Sequence, residues 1–80
     1  MSITNEQCQA ARALLGWSQA DLATAAMVGQ KTIADFEREA RQLRPRTLAD
    51  IRRTLEEAGV EFIDGNGGGP GVRLKKAKNG

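Results

Sequence analysis

Five side chains recur at helical spacing along one short stretch: Gln30, Lys31, Ala34, Asp35 and Arg38. Their chemistry is that of base-edge recognition. An amide can bond adenine in two places, a cation suits guanine or a phosphate, a methyl group packs on thymine, and a carboxylate accepts from a cytosine amine. A helix face that merely meets water carries similar residues, so the spacing alone leaves both readings open. The surroundings add a second clue. Residues 38–53 hold six basic and two acidic groups, including Arg38, Arg41, Arg44 and Arg46. Residues 1–37 hold two basic and four acidic groups, 54–71 four acids only, and 72–80 four bases only. The net charge of +2 says little. The basic block directly after the patterned stretch says more, because clustered cations are what a phosphate backbone attracts.

The elements that would hold these residues can be read from start and stop signals. Thr4 and Gln7 fit a capping box for a first helix from about Asn5 to Leu15, with Ile3 and Cys8 as a hydrophobic staple. Cys8, Ala11, Leu14 and Leu15 form its apolar stripe, and Gly16 supplies a left-handed stop. Ser18 and Asp21 start a second helix, flanked by Trp17 and Leu22. Trp17 reads as packing beside the cap, with stacking on a base or ligand as the alternative. Leu22, Ala23 and Ala26 give a small-residue inner face that lets another helix approach closely. Met27-Val28-Gly29 is the turn, and a third helix runs from Gln30 to Arg38 or Glu39 with Ile33 and Phe36 inward. Pro45 suits the start of a fourth helix, whose face is Leu48, Ile51, Leu55 and Ala58, ended by Gly59. Val60–Ile63 and Val72–Lys75 are expected to form a β-hairpin around the loop DGNGGGPG. That loop lacks the Lys-Ser/Thr and the strand-to-helix context of a phosphate-binding loop.

The fold expected is therefore mainly α: a compact four-helix domain over residues 1–59, a β-hairpin extension over 60–75, and a flexible tail over 76–80. Eighty residues make one domain near the lower limit for an unassisted core. With one cysteine and no histidine, neither an intrachain disulfide nor a Cys/His zinc site can form. Cys8 reads as a small buried thiol, with a reactive thiol as the sharper alternative. No cofactor or metal is expected, and no acid–base constellation for an enzyme is present. No apolar run approaches the ~20 residues of a membrane span, and the opening residues lack a basic-then-apolar leader pattern. The expected location is the cytoplasm, with no membrane partner and no separate ligand-sensing domain.

With the residues set out, the chain resembles the Cro/CI-like (XRE) helix-turn-helix family over roughly Gln9 to Leu55. The matching elements are Arg12, Leu15 to Gln19, Asp21-Leu22-Ala23, Val28, Thr32-Ile33, and Phe36-Glu37 followed by a basic loop and Pro45. The resemblance implies that Arg12 pairs with Glu37 across helices 1 and 3 and orients the third helix. It implies that Ser18 and the start of helix 2 meet a DNA phosphate, and that Gln19 touches phosphate and braces Gln30. Gln30 would read adenine and Lys31 guanine or phosphate. Thr32, Ala34 and Asp35 would also face the groove, and Arg38, Arg41, Arg44 and Arg46 would contact phosphates. Two positions depart from the family pattern: Met27 stands where a turn glycine is usual, and Gly29 where a polar helix cap is usual.

This reading implies a sequence-specific DNA-binding regulator, a repressor, acting as a homodimer on a palindromic site in double-stranded DNA. A rival class is a protein-interaction module, an antitoxin or antiactivator that binds another regulator. Asp35 and the acidic run Glu56, Glu57, Glu61 and Asp64 lean toward it. The hairpin could pack on its own helix 4 or across a dimer, and the residues alone do not choose.

Overall fold

Two capping boxes start the fold. In the computed structural model, which describes residues 3–65 and 67–75, α1 (Asn5–Leu15) begins with Thr4 accepting from the Gln7 amide while Gln7 Oε1 accepts from the Thr4 amide. Helix α2 (Gln19–Ala26) repeats the device with Ser18 and Asp21. Each box satisfies helix-start donors that no intrahelical acceptor can reach. The staple residues Ile3 and Cys8 of α1 both lie in the core. Leu22 does too, and Trp17 packs against it.

Helices α1, α2 and α3 (Gln30–Glu37) end on left-handed residues at Gly16, Met27 and Glu39 respectively. In all three, the amide after the left-handed residue returns to a carbonyl five positions earlier: Trp17 to Arg12, Val28 to Ala23, Ala40 to Asp35. This is the Schellman termination, which turns the chain sharply. Met27 adopts φ 60° and ψ 42° although it is not glycine. The turn between α2 and α3 therefore keeps its left-handed geometry at a cost of about 1 kcal/mol. Gly29 starts α3 from extended backbone with no side-chain cap. The third helix stops at Glu37, one or two residues short of the expected end, because Glu39 is already in the turn.

Helix α4 (Pro45–Glu57) opens on Pro45, whose missing amide is one that no helical partner would have met. Its Ile51 and Leu55 are fully buried with Cys8, Ala11, Leu22, Ile33 and Val60, and this cluster unites the four helices and the hairpin. Each large aliphatic side chain removed from water there contributes about 1.5–3 kcal/mol.

The chain closes with β1 (Val60–Ile63) antiparallel to β2 (Gly71–Leu74), in the register Val60↔Leu74, Glu61↔Arg73, Phe62↔Val72 and Ile63↔Gly71. The second strand starts one residue earlier than expected, at a glycine that has no side chain to reveal the alternation. The hairpin packs on its own helices. Val60, Phe62, Val72 and Leu74 face the core, and Gln7 of α1 donates to the carbonyls of Ile63 and Gly71 at 3.4 and 3.0 Å. Arg52 of α4 stacks over Phe62, 5.1 Å from the ring centre. The expected tail, 76–80, lies outside the described residues. Among those described, no helix is long and apolar enough to cross a membrane.

Candidate nucleic-acid interface

Glu37, the last residue of α3, is where the other helices take hold of that helix. Arg12 grips its carboxylate with two parallel bonds, Nε to Oε2 at 2.7 Å and Nη2 to Oε1 at 2.6 Å, and donates its third to the Trp17 carbonyl at 3.0 Å. Gln19 adds a bond to Oε1 at 3.0 Å and the Cys8 thiol one to Oε2 at 3.1 Å. The backbone carbonyl of Glu37 is held as well, by Gln9 at 2.8 Å and Asn5 at 3.3 Å. Both ends of one residue are thus tied to α1 and to the first turn of α2. Planar guanidinium–carboxylate pairing fixes angle as well as distance, so α3 has little freedom to roll.

The electrostatics follow from burial. The Glu37 side chain is only 4% exposed. Burial by itself would raise its pKa, but the bonds from Arg12, Gln19 and Cys8 overcome that and hold it below the ordinary range. The Arg12 pKa moves up, chiefly through its bond to Glu37. Burial and then the neighbouring Glu37 push the Cys8 thiol far above its usual value, so it stays protonated and donates. Cys8 is a small buried thiol, and it also donates to the Glu37 carboxylate.

On the opposite side of α3, Gln30, Lys31 and Arg38 are exposed and Thr32 and Ala34 half-buried. Asp35 differs from expectation. Helical spacing sets it among the outward groove-reading side chains, but it is 9% exposed and both its oxygens are taken. Oδ1 accepts from Arg38 at 2.9 and 3.2 Å, and Oδ2 pairs with Lys31 at 3.2 Å. Arg38 first, then Lys31, lowers the Asp35 pKa. A flanking cation one turn to each side folds over the carboxylate and covers it. Gln19 also departs from expectation. Its amide nitrogen goes to Glu37, and no hydrogen bond joins it to Gln30 among the described residues.

Around α3 the remaining candidates fall into two groups. Ser18 sits exposed at the start of α2, where capping uses the Asp21 amide and leaves those of Gln19 and Ala20 without a helical acceptor. Gln9, Arg12, Gln19, Ala34, Glu37 and Arg38 line a polar cleft of about 310 Å³ between that helix start and α3. On the far flank, Thr32, Arg41 and Arg44 share a recess of about 360 Å³ with Val28 and Thr47. Arg46 is exposed on the first turn of α4 and lines neither. Trp17 is half-buried against the core, which assigns it to packing. Gln9, Asn5 and Cys8 escaped the sequence reading as partners of α3, since 28 to 32 residues separate them from Glu37. The one available signal was their arrangement on α1, where 5 and 9, and 8 and 12, stand four apart.

Two short helices crossing at a left-handed turn, with the second held from behind and its outer face open, form a helix-turn-helix. A helix-turn-helix family model matches residues 9–62, two-thirds of the chain. The chain belongs to the Cro/CI-type (XRE) helix-turn-helix family. It is accordingly a DNA-binding helix-turn-helix regulator, a domain of regulatory rather than catalytic type. No curated protein matches it.

Proposed function

We propose that this helix-turn-helix protein is a sequence-specific repressor in the cytoplasm, which inserts α3 into the major groove and binds a palindromic operator as a homodimer. The carrying observation is the asymmetric treatment of α3: its back is tied through Glu37, while Gln30, Lys31, Ala34 and Arg38 face outward. In this reading Gln30 bonds an adenine edge and Lys31 a guanine or a phosphate. Ala34 packs on a thymine methyl, and Thr32 approaches the same groove. Ser18 and the free amides at the start of α2 meet one phosphate. Arg38, Arg41, Arg44 and Arg46 hold others and set register without reading sequence. Asp35 takes a changed role: it organises Lys31 and Arg38 instead of accepting from cytosine. Repression follows from occupancy, since a protein seated on its operator denies that DNA to others.

Pairing is supported by size. One short helix reads only a few base pairs, and linking two raises effective concentration. Two half-sites one turn apart lie ~34 Å from centre to centre. Each domain is 32 Å across its longer dimensions, a size comparable with that spacing.

The rival reading as a protein-binding module leaned on free acidic groups. Three of those cited are paired within the chain: Asp35 as above, Glu56 with Arg52 and Glu61 with Arg73. The test is binding of fluorescent DNA from the protein's own upstream region across a salt series, against scrambled DNA. Preference for the upstream DNA, falling steeply with salt, supports the regulator. Equal weak binding to both defeats it for that region.

A further inference from the structure

Glu37 closes α3, and its main-chain carbonyl is treated differently from its neighbours. The carbonyls of Ala34, Asp35 and Phe36 accept from the amides of Arg38, Ala40 and Glu39 in the turn that follows. That of Glu37 meets no backbone donor among the described residues. It accepts instead from two side chains of α1, Gln9 Nε2 at 2.8 Å and Asn5 Nδ2 at 3.3 Å. These stand about one turn apart on one face of α1, whose start is itself locked by the Thr4–Gln7 box. Gln9 is exposed, where water offers a carbonyl a comparable donor, so the bond adds little to stability. Its consequence is geometric.

Arg12 holds Glu37 by its carboxylate, and several rotatable bonds separate that group from the helix backbone. A main-chain carbonyl is rigid with its own helix, so a donor on it fixes the helix end directly. Gln30 stands at the other end of α3, about 10 Å away along the axis. A tilt of about 5° at Glu37 moves Gln30 by about 1 Å, twice the tolerance of about 0.5 Å for a recognition group. We propose that Gln9, supported by Asn5, is a specificity-determining positioning residue, which fixes the pivot of α3 and so sets Gln30, Lys31 and Ala34 together against the bases. The inference rests on the reading of α3 as the base-reading helix. Gln9 also lines the polar cleft beside Arg38, so a direct contact with a DNA phosphate is the competing role.

The experiment selects duplexes from a random pool with the full wild-type chain, then titrates the fluorescent consensus and a scrambled duplex with variants. Gln9→Met and Gln9→Glu keep the length of the side chain and lose its donor, whereas Gln9→Lys retains one. Circular dichroism reports that each is folded. The proposal expects the ratio of consensus to scrambled affinity to fall about fivefold in Gln9→Met, the worth of one hydrogen bond. Gln9→Glu should lower the ratio similarly, and Gln9→Lys should return it to near wild type. Selection repeated with Gln9→Met should weaken preference at several adjacent positions at once, where Gln30→Ala weakens one symmetric position. A wild type that enriches no consensus overturns the base-reading role of α3 itself. With a wild-type consensus in hand, an unchanged ratio in Gln9→Met and Gln9→Glu overturns only the role of Gln9. Equal loss on both duplexes is such a result, and marks a phosphate contact. A ratio as low in Gln9→Lys as in Gln9→Met overturns the role of the donor.

Discussion

Replacing Arg12 with alanine should cost a large share of the stability margin at neutral pH, and acid should return part of it. The substitution removes both bonds to the Glu37 carboxylate and the one to the Trp17 carbonyl, leaving a side chain that is 4% exposed. Stranding one member of a buried pair costs about 3–5 kcal/mol. A chain of this length commands about 4–12 kcal/mol in total. The pH behaviour is more diagnostic than the size. In wild type the Glu37 pKa is lowered, so its contribution is present above the unfolded carboxylate pKa and is lost as pH falls through the folded value. Without Arg12, burial outweighs the remaining bonds from Gln19 and Cys8, and the folded pKa rises above the unfolded one. The carboxylate then destabilises the variant at neutral pH. Each pH unit descended between those two values returns about 1.4 kcal/mol. Urea denaturation of wild type and Arg12→Ala at pH 7.5 and pH 5 should therefore show a gap that narrows in acid. In Arg12→Ala/Glu37→Gln, which has no carboxylate to titrate, the gap to Glu37→Gln should be flat. A loss under about 1 kcal/mol, or a gap to wild type that stays constant with pH, would refute the account of Glu37 as a buried, Arg12-dependent anchor.

Other outcomes follow from single residues. Met27 is 90% exposed and left-handed, so Met27→Gly should relieve strain without losing packing and raise stability by about 1 kcal/mol, read as a higher urea midpoint. Gly29→Ser should add a few tenths of a kcal/mol through a cap bond, since its new Cβ would meet only Thr32 Oγ1 at an ordinary 3.6 Å. Arg41→Ala and Arg44→Ala should weaken binding to all DNA sequences alike, each lowering the salt slope by about 1 in a fluorescence titration. Asp35→Asn should leave Lys31 and Arg38 less ordered and shift the balance toward non-specific binding, measured as the affinity ratio of operator to scrambled DNA.

The legible part of this fold was local. Thr4 with Gln7, Ser18 with Asp21, Gly16 and Pro45 are signals that act within a few residues, and each marks the boundary where it was read. The Arg12–Glu37 pair was accessible through family resemblance alone. The convergence of Asn5, Cys8, Gln9 and Gln19 on the same glutamate was not, because only the assembled fold brings them there. Asp35 shows the limit of a helical wheel, which gives a direction but not whether longer neighbours will close over a short side chain. The hairpin shows another limit. Its apolar residues suited two docking partners equally, and the choice came from Gln7, a capping residue whose amide also reaches the Ile63 and Gly71 carbonyls. Met27 marks a third. Its cost in a left-handed turn was readable, but the turn keeps its shape because α2 and α3 are packed around Leu22 and Ile33 regardless.

The central claim is that α3 reads bases through Gln30 while Glu37 holds it in place. Selection of bound duplexes from a random pool, run in parallel with wild type and Gln30→Ala, tests it most directly. The account predicts a palindromic consensus with half-sites about one helical turn apart, and loss of preference at one symmetric A·T position in the variant, worth about 1–3 kcal/mol. A pool that shows no enrichment, or a consensus unchanged by Gln30→Ala, would contradict it.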